Sequence, residues 1–302
     1  MKTKIYLVAM MVMAMTWSSC SDSESVEGGA KSQFITVSTS ISNMTRVATD
    51  AATGSQTFEE GDQISVYAWT GDVNVIKAGD LVVNNSLNKL TNRKWEATPQ
   101  MRWKNNIDPH YFIGIYPATT STLDDLTSGP YEFDVDNQAK SDLLVAINKQ
   151  GLCYDKDASN DVPLEFTHMM AKVVVNLTYK TQWATIPTVE KVVLASVAQK
   201  AKVNYLTKTM TALSESAKDL SLPISKANEK YTSLVIPQNS IKKISVSIDG
   251  KNYAYEHTAP FSLESGKITV INLVVGRDEI NLGEVKITDW TNGAFFSGEA
   301  LD

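Results

Sequence analysis

The chain has 302 residues, of which 43% are hydrophobic. This is enough apolar material for one large domain or two of ordinary size, and it excludes a wholly disordered chain. With 28 basic and 34 acidic side chains the formal net charge is −6, and no run of Lys and Arg predicts a phosphate-binding face, so nucleic acid is not an expected partner.

The first twenty residues are typical of an export signal. Lys2 and Lys4 form the cationic start, and residues 5–16 (IYLVAMMVMAMT) are an apolar run too short for a permanent membrane span, which needs about 20 residues. Cys20 follows two serines at the expected cleavage point, an arrangement that resembles the lipobox of bacterial lipoproteins, although Trp17 stands where most have leucine. The alternative is an ordinary signal peptide with an incidental cysteine.

The lipobox resemblance implies a signal peptide over residues 1–20 and lipid on Cys20. Each buried methylene contributes roughly 0.8 kcal/mol, so several chains would hold the protein in an outer membrane. Residues 21–33 are expected to be a flexible tether, and their SDSE start resembles the surface-export signal of Bacteroidetes lipoproteins; a merely solvated tether is the alternative. Cys153 is then left without a disulfide partner.

Strand patterns dominate from residue 34 onward. Alternating or short apolar runs predict strands, and turn residues such as Gly61, Asn84-Asn85 and Asp249-Gly250 separate them. These features favour an all-β fold of antiparallel sandwiches. The predicted strands lie at 64–69, 111–116, 173–179, 192–195, 234–237, 244–248 and 268–275.

A polar loop at residues 154–161 (YDKDASND) predicts a domain boundary near residue 161. The expected domains are therefore 34–160 and 161–302, each a β-sandwich. The one plausible helix lies in residues 211–221 (TALSESAKDLS), and it is too short to change the fold class.

The residues that could carry chemistry are dispersed. The chain has no HExxH, no cysteine pair at zinc spacing and no GxSxG or P-loop motif, which predicts neither an enzyme nor a bound metal or cofactor. The His168 ring is expected to donate a structural hydrogen bond to backbone at the start of a strand. Five tryptophans could form a platform for sugar rings, but core packing is the favoured interpretation; they are Trp69, Trp95, Trp103, Trp183 and Trp290.

Several segments together resemble the fimbrillin family of Bacteroidetes, whose members build or cap type V pili. Their order and their spread over residues 34–290 carry the resemblance. They are TRVATD (45–50), FEEGDQISVYAW (58–69), YFIGIYP (111–117), DLLVA (142–146), LEFTHMMAKVVVNL (164–177), LVIPQ (234–238), LESGKITVINLVVGRDEI (263–280) and ITDW (287–290).

This resemblance implies two tandem transthyretin-like antiparallel sandwiches after a lipoprotein signal peptide. It also implies a structural component of a cell-surface pilus in the outer membrane, whose partners are other pilus subunits joined by exchanged strands. The alternative function is a surface-anchored lipoprotein that binds a glycan or host protein and never polymerises.

Residues 34–46 (FITVSTSISNMTR) are the predicted first strand, which fimbrillins remove by proteolysis. Alternation would point Val37, Thr39 and Ile41 inward, with Phe34 at the start. Arg46 follows, and the resemblance implies cleavage by an arginine-specific protease there; an exposed arginine in a turn is the alternative.

The predicted donor strand is the C-terminal segment. Val285, Ile287 and Phe295 offer apolar contacts, although residues 289–293 are typical of a turn. A permanent last strand of the second domain is the alternative, and it would favour a place at the tip or base of a pilus.

Overall fold

The computed structural model describes residues 33–42, 57–158 and 160–290. These residues form nineteen strands, and their only α-helices are two single turns, α1 (Asp125–Ser128) and α2 (Tyr154–Asp157). The predicted all-β fold is therefore confirmed. The strands are β1 (Val37–Ile41), β2 (Gln63–Trp69), β3 (Leu81–Thr91), β4 (Lys94–Thr98), β5 (His110–Tyr116), β6 (Gly129–Glu132), β7 (Leu144–Leu152), β8 (Val162–His168), β9 (Ala171–Tyr179), β10 (Val189–Val197), β11 (Lys200–Asn204), β12 (Thr209–Ala212), β13 (Lys218–Ser221), β14 (Ile224–Lys226), β15 (Lys230–Val235), β16 (Lys243–Ile248), β17 (Lys251–Glu256), β18 (Lys267–Val275) and β19 (Ile280–Asp289).

A seven-stranded sheet in the order β1-β8-β7-β5-β2-β3-β4 forms the first half. Both faces of its central strands are buried, so these strands are apolar nearly throughout, as in β5, where Phe112 and Ile113 point to opposite faces and are fully buried. One face packs into a cluster that we call the seam core. Its buried members are Ile35, Val37, Ile41, Ile64, Val66, Ala68, Val83, Met101, Phe112, Tyr116, Leu144, Ala146, Val162, Leu164 and Phe166.

The opposite face of this sheet is covered by a three-stranded sheet in the order β12-β11-β6. The cluster between them, the central core, is assembled from distant parts of the sequence: Tyr67 and Trp69 on β2 share it with Val203 on β11 and with Trp290 after β19. The first half is thus completed by residues from the far end of the chain.

Two further sheets pack on each other in the second half, with orders β14-β15-β9-β18-β19 and β13-β10-β16-β17. Their shared cluster takes the alternate residues of each strand, as the sequence pattern predicts. In β16, Ile244, Val246 and Ile248 are buried in it, and β9 contributes Val173 and Val175.

The sheets do not divide at the boundary predicted near residue 161. β8 starts at Val162 yet pairs with β1 and β7 of the first sheet. β11 and β12 also lie beyond that boundary, and β11 pairs with β6. The division into domains 34–160 and 161–302, and their transthyretin-like character, stay predictions.

Two local predictions from the sequence are wrong. Residues 211–221 are not a helix: they contain the end of β12, a 3₁₀ turn at Ser214–Ser216 and β13, because Leu220 pairs with Leu194 and is buried. Asn84-Asn85 is not a turn between strands but an irregularity within β3, where Asn85 has a positive φ of 54°. The Asp249-Gly250 turn does join β16 to β17, with both residues at positive φ.

His110, at the start of β5, is fully buried and bonded as a neutral ring. Its Nδ1 lies 2.9 Å from the carbonyl oxygen of Asp108, and its Nε2 accepts the backbone N–H of Lys104 at 3.1 Å. Burial lowers the pKa of His110, and the nearby Lys104 lowers it further, against the raising effect of Asp108 and the backbone carbonyls.

Stability is therefore expected to fall as the pH drops below about 6.5, the ordinary histidine pKa, because the unfolded chain then binds a proton that the native ring resists. Above that pH the ring is neutral in both the folded and the unfolded chain, and burying His110 then carries no cost from the loss of a proton. Thermal unfolding at about pH 7.5 and about pH 5.5 should show a smaller loss for His110→Gln than for the wild type. The matched control His257→Gln should keep the wild-type loss, and an unchanged loss in His110→Gln would contradict the prediction.

Candidate functional site at the first strand

β1 is an edge strand that runs parallel to β8. The register aligns Val37 with Val162 and Ile41 with Phe166. Hydrogen bonds extend the pairing at both ends, since Val162 N–H donates to the carbonyl of Thr36 at 2.7 Å and Ser42 N–H donates to that of Phe166 at 2.8 Å. Parallel pairs are slightly less stable per residue than antiparallel pairs, so burial of its side chains adds to what holds β1 in place.

The chain just before β1 also bonds to a second segment. Ile35 N–H donates to the carbonyl of Met101 at 3.0 Å, and Phe34 forms a bridge with Arg102, whose guanidinium lies 4.6 Å from the centre of the Phe34 ring. Residues 34–42 therefore lie between β8 on one side and residues 101–102 on the other. We call this position the seam.

Three apolar side chains anchor the strand in the seam core. Ile35, Val37 and Ile41 are 1%, 4% and 7% exposed. Burial of each such side chain contributes about 1.5–3 kcal/mol, so a strand leaving the seam must be replaced by one with similar side chains. Phe34 is 37% exposed, and Thr39 is half-buried. Ile35 was missed by the sequence prediction, although extending the alternation back by two residues would have found it.

The wall of the seam beside β1 is closely packed. Leu164 and Phe166 of β8 are almost fully buried. A Cβ atom at Gly114 of β5 would lie 2.7 Å from Cζ of Phe166, so only glycine allows the Phe166 ring to lie across β5. Phe58 packs edge-on against Phe166 at 5.2 Å and closes one end of the cluster.

Thr39 is the one inward position of β1 that is polar. Its Oγ1 accepts a hydrogen bond of 2.9 Å from Nε1 of Trp95. Trp95 lies on β4, the opposite edge strand of the same sheet. The two edges of the sheet therefore meet through this side-chain bond.

Three of the predicted site residues lie outside the described residues, namely Cys20, Arg46 and Phe295. Cleavage at Arg46 and lipidation of Cys20 accordingly stay predictions.

The predicted donor residues Val285 and Ile287 lie on β19, which pairs antiparallel with β18 from Lys267–Asp289 to Val275–Ile280. Val285 packs against the core of the second half, whereas Ile287 is 40% exposed. In this structure both residues belong to an edge strand of their own sheet.

Trp290 fixes the end of β19 against the first half. Its ring stacks on His168 with 4.0 Å between centres and 3° between planes, and its backbone N–H donates to the carbonyl of Gly266 at 3.0 Å. Nδ1 of His168 lies 2.9 Å from Oδ1 of Asp142, and both side chains are buried. At the end of β8, His168 therefore bonds to the Asp142 carboxylate and stacks on the Trp290 ring. The predicted bond to backbone is replaced by this carboxylate bond.

The model of the Fimbrillin-like family matches residues 45–290, which is most of the chain. This protein belongs to the fimbrillin-like family. The resemblance seen in the sequence is confirmed. A comparison with curated proteins gives no significant match.

Solved structures share the fold of this fimbrillin-like chain. A candidate cell adhesion protein from Bacteroides ovatus is 16% identical with a TM-score of 0.63, covering 86% of this chain and 99% of its own. A fimbrial protein from Bacteroides vulgatus is 12% identical with a TM-score of 0.51, covering 85% and 99%. The tip fimbrial protein Mfa3 from Porphyromonas gingivalis, truncated at its C-terminus, is 8% identical with a TM-score of 0.52, covering 77% and 95%. At these identities the likeness concerns the fold.

The tryptophans of this fimbrillin-like protein do not form an exposed platform. Trp69 and Trp290 are buried, and Trp95, Trp103 and Trp183 are half-buried. Two of the indole N–H groups bond to the protein's own backbone: that of Trp69 donates to the carbonyl of Asp72, and that of Trp183 donates to the carbonyl of Val275. The core interpretation of these rings agrees with their burial.

Other chemical features are sparse in the part of the chain that the structure describes. It contains no group of three or more His, Cys, Asp or Glu that could hold a metal. Asp125 accepts two hydrogen bonds from Thr122, which lower the pKa of this carboxyl and explain its place at a turn. Within the same residues, none of the helices has the length and apolarity needed to span a membrane.

Proposed function

We propose that this protein is a structural or adhesive subunit of a cell-surface pilus, in which a strand from a neighbouring subunit replaces β1. Family membership and the fold support a pilus or adhesion role. The observation that carries the finer proposal is the position of β1: a five-residue edge strand whose buried side chains close a core between β8 and residues 101–102.

Loss of β1 would have two consequences. The free N–H and C=O groups of β8 would face an open edge, and the seam core would lose three apolar side chains. An extended segment from another chain can satisfy both at once, since its backbone continues the sheet and its alternate side chains fill the core. The seam is thus suited to hold a foreign strand as firmly as its own.

Processing and anchoring complete the proposal. Cys20 carries the lipid that holds the precursor in the outer membrane, and cleavage after Arg46 cuts the chain four residues beyond Ser42, the last described residue after β1. Other pilus subunits are the partners, and a host or bacterial surface ligand is a further candidate partner.

The C-terminal segment is the proposed donor to a neighbour. Using Val285 and Ile287 requires β19 to leave β18, whereas a donor that begins after Trp290 and includes Phe295 leaves this pairing intact. If the C-terminal segment remains paired in its own sheet, the protein belongs at the tip or base of the pilus.

The proposal is tested by cutting the purified precursor with an arginine-specific protease. We expect a cut at Arg46, release of the N-terminal fragment from the folded remainder, and uptake by the trimmed protein of a labelled peptide of residues 33–42. Mass spectrometry and size-exclusion chromatography measure the release, and fluorescence anisotropy measures the uptake.

The matched control is Arg46→Gln, which should stay uncut at this position and should take up no peptide. A cut protein that keeps its N-terminal fragment and excludes the peptide would show that β1 is a permanent strand. The proposed function would then be wrong.

A further inference from the structure

The inward face of β1 has a pattern of its own. Val37 and Ile41 enter the seam core, and between them stands Thr39, whose hydroxyl bonds to Trp95. The outward residues Ser38 and Ser40 are exposed. The strand therefore presents a β-branched apolar residue, an acceptor and a second β-branched apolar residue at alternate positions.

Trp95 makes this acceptor a requirement of the seam. Its ring packs against the seam core, with Phe58 edge-on at 5.3 Å. Its N–H crosses to Thr39 at 2.9 Å. A strand with an apolar residue at this position would cover the N–H without accepting from it, and such a group costs more than a satisfied one.

Resting on the proposed function, we propose that Trp95 selects the strand that enters the seam: it must carry a hydrogen-bond acceptor at the Thr39 position, with Val or Ile two residues to either side. The partner is thus a strand of the form Val/Ile-x-Ser/Thr/Asn/Asp-x-Val/Ile. Trp95 is a specificity-determining residue in this role.

The C-terminal segment of this chain does not meet the requirement. Residues 280–302 contain no Val or Ile spaced by four residues around such an acceptor, because Val285 and Ile287 are two apart and are followed at the next alternate position by Asp289. Residues 280–302 of a second copy are therefore not expected to enter this seam.

The test uses residues 21–302 with a designed cleavage site between residues 43 and 56, cut so that the first strand can exchange. Four labelled peptides compete for the seam: residues 33–42, the same peptide with Thr39→Ser or Thr39→Val, and residues 280–293. Valine has the shape of threonine and is more apolar, so packing alone predicts equal or tighter binding of the valine peptide.

We expect the valine peptide to bind about tenfold more weakly than the native one, the scale of one lost hydrogen bond. The serine peptide should stay closer to the native one, and residues 280–293 should not compete. In the Trp95→Phe protein the native and valine peptides should bind alike. Equal binding of native and valine peptides to the wild-type protein, or full competition by residues 280–293, would overturn the inference.

The uncut chain provides a second measurement that does not depend on exchange. Thr39→Val and Trp95→Phe should each lower the unfolding midpoint, and the double variant should be no less stable than Trp95→Phe alone. Strictly additive losses would overturn the Trp95 assignment. If no peptide binds while the Thr39→Val and Trp95→Phe variants are coupled in the uncut chain, the proposed strand exchange is wrong and the hydrogen bond is upheld. Failure of the proposed function can thus be told from failure of the Trp95 assignment.

Discussion

Replacing Phe166 with alanine is expected to lower the free energy of unfolding by about 3–5 kcal/mol. Phe166 is fully buried, lies across the backbone of Gly114, and contacts the Phe58 ring at 5.2 Å. The glycine cannot fill the space that the ring leaves, so the cavity stays open. Urea unfolding of the full chain, followed by tryptophan fluorescence, measures the loss.

The same substitution should also loosen β1, because Phe166 pairs with Ile41 and the two side chains share the seam core. Thr167→Ser is the matched control on the other face of β8: it is half-buried and should change stability by less than about 0.5 kcal/mol. A loss below about 1 kcal/mol for Phe166→Ala would show that the seam core can collapse, contrary to the packing argument.

Replacing Trp290 with alanine is the second large effect that we expect, again about 3–5 kcal/mol. The indole is 6% exposed, stacks on His168 and belongs to the central core. Its loss removes both the apolar burial and the stacking, and it leaves the His168–Asp142 pair beside a cavity. Thermal and urea unfolding measure the effect, and limited proteolysis reports whether the end of β19 becomes accessible.

Trp290→Phe is the matched variant, since it keeps an aromatic ring over His168. We expect it to recover more than half of the lost stability and to restore protease resistance near residue 290. Alanine and phenylalanine variants of equal stability would mean that the stack contributes nothing. Loss of stability without new cleavage near residue 290 would mean that the ring does not hold the end of β19.

The strands of the central sheets were predictable because their apolar residues either alternate or form short continuous runs. Ile64, Val66 and the apolar residues of β5 and β18 repeat at every second position or in short buried runs, and such patterns need no knowledge of partners. The helix predicted in residues 211–221 was wrong because the structure of that segment depends on its tertiary partner. Leu220 becomes a strand residue only because β10 lies beside it, a tertiary contact that helix propensity does not include.

The seam was partly predictable in the same way. Val37 and Ile41 follow the alternation and are buried. The role of Trp95 could not be derived, because it depends on which two edges of the sheet meet, and no local pattern contains that information. The stacking of Trp290 on His168 likewise joins residues 122 positions apart.

The composition of the central core limits when this core can form during synthesis of the chain. Tyr67 and Trp69 near the start share one cluster with Val203 and with Trp290 close to the end. A nascent chain that has emerged only as far as residue 160 cannot bury that face, so the central core closes only after Trp290 has been synthesised.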